Sequence, residues 1–336
     1  MKYKRFLRRY LKWIIPSLLL ITLFSCSDSR GKSRELDSWA SNNGKVKVLS
    51  TTGMIDDLVE EIGKERVDHI KLILGEIDPH SYELVKGDDE KISSAQVVFY
   101  NGLGLEHGAS LRYRLESHPC KVSLGSELEK RAPDEILMVG NQVDPHIWMD
   151  ISLWARAVDP IVETLSQIDA EHADYYYQNG EALKNKMLAV HQEIVQKFKT
   201  APEEKRYLVA SHDAFNYFAR AYLAGDEERR GGEWQKRFAA PEGLAPDGQL
   251  GYTDIKKIID HLILHQIDVV FPESNVSRDS LKKIASVCKE MGHRVRISPA
   301  VLYGDAMQQS GPVSDGYLNM LRHNCNVMVE QWSKHE

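Results

Sequence analysis

The sequence predicts an α/β protein with two lobes of parallel β-sheet flanked by helices, joined by one long backbone helix. Three observations predict it. From Lys45 onward, short β-rich runs alternate with helical patterns, the signature of a parallel, doubly wound sheet. A long amphipathic pattern then fills Gly180 to Lys199. After it the alternation starts again, so the second half repeats the architecture of the first.

Each element has its own warrant. Val46 to Ser50 reads as a strand, and Met54 to Gly63 as a helix with Ile55, Leu58, Val59 and Ile62 on one face. His69 to Leu74 is the next apolar run, followed by a helix around Tyr82 to Ser94. Ala95 to Tyr100 and Lys121 to Leu124 are further strands. In the central pattern Leu183, Met187, Val190, Ile194 and Phe198 recur at intervals of three and four. The pattern extends back toward Asp169, weakened by Asn179-Gly180; a helix of ~30 residues would be ~45 Å long, enough to run behind both lobes. Tyr207 to Ala210 reopens the alternation as a strand, and His212 to Leu223 follows as a helix. Gly225 to Gln235, charged and containing glycine, reads as a surface loop. Tyr252 to His265, Arg278 to Met291 and Tyr317 to Trp332 are helical, and Asp268 to Phe271 and Arg294 to Ile297 are strands. The expected limits are therefore 46–168 for the N-terminal lobe, 169–200 for the linking helix and 201–336 for the C-terminal lobe.

The N-terminus reads as an export signal over residues 1–26. Lys2, Lys4, Arg5, Arg8, Arg9 and Lys12 precede an apolar run from Trp13 to Phe24. That run is shorter than the ~20 residues a membrane span needs, and it matches the apolar segment of a signal. It ends in Leu23-Phe24-Ser25-Cys26, which resembles a bacterial lipobox and makes Cys26 the candidate for lipid attachment. Residues 27–45 are rich in Ser, Asp, Arg, Gly and Asn and read as a flexible tether. The folded part is thus expected outside the cytoplasm, periplasmic or otherwise extracytoplasmic. Beyond Cys26 three cysteines remain, and Cys288 and Cys325, on two helices of the C-terminal half, are candidates for a disulfide. The formal net charge of -6 argues against a nucleic-acid partner.

Four loci carry the chemistry. Each puts a metal-ligating side chain at the end of a strand or in the loop after it, the edge where α/β sheets bind ligands. Asp78-Pro79-His80 and Asp144-Pro145-His146 are two copies of one tripeptide, 66 residues apart. The proline stiffens the turn before the imidazole, so less freedom is lost when an ion binds. Ala210-Ser211-His212 runs from a strand into a helix, and Gly304-Asp305 follows another strand. Any one of these alone is an ordinary turn or cap; their recurrence at one topological position in two similar halves makes them a set. Three imidazoles and a carboxylate suit one divalent transition-metal ion, Zn²⁺, Mn²⁺ or Fe²⁺, and disfavour Ca²⁺ and Mg²⁺. Asp78, Asp144 and Asp213 are candidates to hydrogen-bond the ligating rings and fix their tautomers.

These residues resemble solute-binding protein family 9, the zinc, manganese and iron receptors of ABC transporters. The matching pieces are LGEIDPHSYE at 74–83, DPHIWMD at 144–150, ASHDAFNYFARAYL at 210–223, EGLAPDGQLGYTDIKKIID at 242–260, VVFPESNVS at 269–277 and LYGDAM at 302–307. The resemblance implies two lobes around a metal in the cleft, with His80 and His146 from the first lobe and His212 and Asp305 from the second. It further implies a monomeric receptor that delivers its ion to an ABC permease and its cytoplasmic ATPase. Some members have Glu in place of His212; His moves the set toward zinc or broader use. The His-rich loop of zinc-specialised members is missing from Leu128 to Val143, and the 225–235 stretch is longer than usual. The competing classes are an exported zinc-dependent hydrolase and a surface adhesin. The sequence holds no HExxH or GxSxG motif, so an enzyme is not expected.

Overall fold

The computed structural model describes residues 36, 38–246, 251–307 and 316–334. The signal, Cys26 and most of the tether lie outside the described residues. Where the tether meets the first lobe it is docked: the Trp39 indole donates to Asp68 O at 3.0 Å, and Asn43 and Lys47 both reach the Asp68 carboxylate. The flexible reading of 27–45 therefore does not extend to its last residues.

The first lobe is built on a four-stranded parallel sheet of order β2-β1-β3-β4. Its strands are β1 (Val46–Ser50), β2 (Val67–Lys71), β3 (Val97–Tyr100) and β4 (Lys121–Ser123). Strand β1 is buried along its whole length because helices cover both faces. The helices are α1 (Gly53–Gly63), α2 (Asp88–Ser94), α3 (Ala109–Ser117) and α4 (Leu124–Arg131). Helix α2 starts later than the apolar pattern suggested. Residues 82–87 have other partners: the Glu83 carboxylate accepts the N–H groups of Ala109 and Ser110 at the start of α3. Asp88 takes the Tyr82 hydroxyl and the Val85 N–H. A short antiparallel hairpin, β5 (Met138–Val139) and β6 (Gln142–Val143), then delivers the chain to α5 (Ile151–Trp154) and α6 (Val158–Ile168).

Helix α7 (Ala173–Phe198) is the long connector. Its 26 residues span about 39 Å. Leu183, Met187, Val190, Ile194 and Phe198 are all buried, as their spacing requires. They join one apolar core that also contains Val48 and Ile55 before the helix and Leu208, Tyr217 and Trp332 after it.

The second lobe repeats the first topologically. Strands β7 (Leu208–Val209) and β8 (Phe238–Ala239) pair in parallel, as do β9 (Val269–Val270) and β10 (Arg296–Ile297). Phe271 N donates to Val209 O at 2.8 Å and joins the pairs. The resulting order, β8-β7-β9-β10, has the same second-first-third-fourth sequence as the first sheet. Three expectations fail in this lobe. His212 to Phe215 is loop; helix begins at Asn216 and passes into a π-turn over Ala219–Leu223. The 225–235 segment is not a bare loop but a packed insertion: α8 (Asp226–Gly231) and a 3₁₀ turn, Glu233–Arg237. Trp234 is buried beneath it, and the buried Arg237 guanidinium makes a forked ion pair with Glu228. Helices α9 (Tyr252–Leu264), α10 (Asp279–Glu290) and α11 (Tyr317–Trp332) complete the lobe. The expected Cys288–Cys325 bridge is not formed. Both are free thiols, buried in separate apolar clusters, Cys288 under α9 and α10 and Cys325 in the main core.

Candidate metal centre

Each of the four candidate side chains is aimed by its own turn. Asp78 Oδ1 accepts the His80 N–H at 2.9 Å and its Oδ2 takes the Ser81 hydroxyl. That closes an Asx turn which presents His80 beyond β2. Asp144 does the same for His146 and more. Its Oδ1 accepts both the His146 N–H at 2.9 Å and the ring Nδ1–H at 2.7 Å. Asn101, after β3, donates to Pro145 O at 2.9 Å and holds the turn from the sheet side. His212 follows β7 and is fixed by a β-bridge to Glu242. Asp305 follows a bridge between Glu273 and Leu302, and the Trp148 indole donates to Gly304 O at 3.0 Å.

The four meet at one point. His80 Nε2 and His146 Nε2 are 3.2 Å apart. Asp305 Oδ1 is 3.3 Å from His146 Nε2, and Oδ2 is 2.9 Å from His212 Nε2 and 3.6 Å from His80 Nε2. None of the four residues is more than 3 % exposed. Donor atoms ~2.1 Å from a tetrahedral ion stand about 3.4 Å from one another, so these separations fit a single transition-metal ion. The hydrogen-bond pattern points the same way. With Asp144 on Nδ1–H, His146 turns a lone pair on Nε2 toward the centre, and both oxygens of Asp305 are buried without a hydrogen-bond donor. Lone pairs and anionic oxygens converging out of water are stable only around positive charge.

The electrostatics express that demand. Burial pulls the His146 imidazole down, but Asp144 and Asp305 outweigh it and push the ring up to about 9. Burial likewise opposes protonation of His212, yet Asp305 and Glu273 hold it well above the usual histidine range. For Asp305 burial acts upward, and His212 and His146 carry it well below the usual carboxylate range.

The supporting carboxylates differ from the sequence expectation. Asp144 reaches its ring. Asp78 binds only backbone and Ser81. Asp213 turns to Asn216 Nδ2 at 2.8 Å and touches no ligating imidazole. Beside His212 that place belongs to Glu273, whose Oε2 lies 2.7 Å from Nδ1. The sequence did carry a signal for it, an acidic residue ending the apolar run Val269 to Phe271, but the run's partner is more than 60 residues away.

Two α/β lobes with a closed donor cluster between them define a solute-receptor class of protein. The chain belongs to the family described as zinc-uptake complex component A, periplasmic, which matches residues 48–331. It is 37% identical over 328 residues to the metal-binding protein YtgA of Chlamydia muridarum, covering 96% of each chain. It is 32% identical over 312 residues to the manganese-binding lipoprotein MntA of Bacillus subtilis, covering 90% of this chain and 92% of that one. The crystal structure of Fe(III)-bound YtgA from Chlamydia trachomatis superposes with a TM-score of 0.80 at 38% identity, covering 86% of this chain and 98% of that one.

Proposed function

We propose that this protein is the extracytoplasmic receptor of an ABC importer, and that His80, His146, His212 and Asp305 capture one transition-metal ion for delivery to a membrane permease. The observation that carries the assignment is the convergence of four buried donor atoms, all within 4.8 Å of one another, from loops spread across both lobes. Nitrogen dominates the set and one carboxylate hardens it, a balance that accepts zinc, manganese and iron. Three imidazoles and a carboxylate with both oxygens at the centre would fill the shell of one ion and leave no position for an activated water, which favours capture over turnover. Among the described residues no helix is long and apolar enough to cross a membrane; attachment is assigned to a lipid on Cys26 after signal cleavage. Lobes at 46–168 and 201–336, with the linker at 169–200 and a monomeric state, complete the proposal.

The test is a competition titration of metal-stripped protein with Zn²⁺, Mn²⁺ and Fe²⁺, alongside elemental analysis of protein purified without added metal. His146→Ala and Asp305→Ala should each weaken binding about tenfold or more while the metal-free fold persists by circular dichroism. Unchanged affinity in both variants refutes the assignment. Metal-dependent hydrolysis of model esters or peptides at a useful rate would return the protein to the hydrolases.

A further inference from the structure

We infer that Glu273 is the positioning residue that makes His212 a metal ligand, and that it does so by imposing a tautomer its isosteric amide would reverse. This rests on the reading of His212 as a ligand. Glu273 follows β9 and is 1 % exposed. Its two oxygens have separate duties. Oε1 accepts the N–H groups of Ser211 and His212, both at 2.9 Å. Oε2 lies 2.7 Å from Nδ1 of the His212 ring, an ion-pair approach off the line of a hydrogen bond, and neither atom has a hydrogen-bond partner. The approach is less direct than that of Asp144 on His146, but no other polar group competes for either atom. The residue is locked in this pose. Its own N–H donates to Ser211 Oγ at 3.2 Å, and its backbone bridges to Leu302. The opposite wall is Gly304, where a Cβ would stand 2.5 Å from Oε2 and 3.3 Å from the His212 ring.

The consequence follows from donor and acceptor counting. A carboxylate accepts on both oxygens, so Nδ1 carries the hydrogen and Nε2 offers a lone pair to the ion. In Glu273→Gln the two backbone N–H groups still require an oxygen, which fixes the amide's orientation. Its NH₂ then faces Nδ1. Either the ring hydrogen moves to Nε2, the atom that should bind the ion, or the ring turns away from two opposed donors. Both outcomes remove His212 from the ion. Glu273→Ala withdraws the carboxylate without placing a donor against the ring, so it should harm the site less. A carboxylate needed only for packing would give the reverse order.

The experiment compares wild type, Glu273→Gln, Glu273→Ala and His212→Ala, titrated with Zn²⁺ alone in competition with a chelator. Proton–nitrogen correlation spectra of the ¹⁵N-histidine-labelled, zinc-saturated proteins supply the second readout. The expected losses are about 100-fold for the Gln variant and about tenfold for the Ala variant. The His212 Nδ1–H signal of the zinc-loaded wild type should be missing from the Gln variant. If wild type binds zinc, His212→Ala weakens it and the Gln variant binds like wild type with that signal intact, the inference falls and the receptor reading stands. Wild type that fails to bind, or binding indifferent to His212→Ala, sinks both. Should Glu273→Ala fail to fold, the isosteric Gln variant still decides through affinity and spectrum.

Discussion

Gly304 shows how little room the site leaves. Trp148 holds its carbonyl from the other lobe, and Glu273 and His212 fill the space a side chain would need. Gly304→Ala should therefore displace Glu273 or Asp305, weakening zinc binding about tenfold and lowering stability by about 1–3 kcal/mol. A competition titration with a thermal melt checks both, and wild-type affinity would show that the glycine is incidental. At this scale the sequence was most readable where a side chain is aimed by its own neighbours. Asp-Pro-His announces a turn within three residues, so His80 and His146 stand out. Glu273 does not, because its partners at 211 and 212 come near only once β7 and β9 lie side by side. Asp213 misled for the opposite reason: adjacent to His212 in sequence, it points to Asn216 instead.

Among elements, the long helix was legible from periodicity alone, since apolar spacing survives whatever packs against it. Its one apparent flaw explains itself in three dimensions. Gly180 sits where α7 meets α6, and a Cβ there would lie 2.5 Å from a Val162 methyl and 3.2 Å from Val158. Gly180→Ala gains about 1 kcal/mol of helix propensity and incurs about 1–3 kcal/mol of overpacking. Urea denaturation should show a net loss of about 1 kcal/mol; a more stable variant would mean that the helices separate freely. The insertion at 226–237 was unreadable for a different reason. Its order comes from one buried guanidinium, Arg237, clasped by Glu228 nine residues earlier, and a charged stretch gives no periodic sign of that. Three strands of the second lobe, β7, β9 and β10, were found in place but read too long, because the flanking residues continue the β-rich pattern beyond the ladder bonds, whereas β8, Phe238–Ala239, was not read as a strand.

Over the whole molecule, the lobes are fastened to each other as well as to α7. The Tyr317 hydroxyl bonds Trp148 O, the Tyr217 hydroxyl bonds Asp144 O, and Asn216 reaches the Asp144 carboxylate that holds His146. On the far side Asp57 of α1 accepts the N–H of Tyr317, the first residue of α11. Burial, with Glu61 and Glu60 adding to it, pushes Asp57 from an ordinary 3.8 up to about 6, against the pull of that N–H and of Lys186. Between these values the folded chain holds a proton that the unfolded chain has lost. Stability from this group is therefore full below pH ~4 and declines as pH rises through about 6. Asp57→Asn should raise stability at pH 7.5 by about 1–2 kcal/mol, less than the full shift implies because the carboxylate is only partly buried. The gain should vanish near pH 4 in paired melts; a gain that persists there would assign it to something other than ionisation. The cross-lobe bonds to the Asp144 turn carry one more consequence. They are made by Tyr217 and Asn216, neither of them among the four proposed ligands, so the turn that aims His146 is fastened from the other lobe without an ion. In the proposed receptor, the pose of His146 would then owe nothing to the ion it receives.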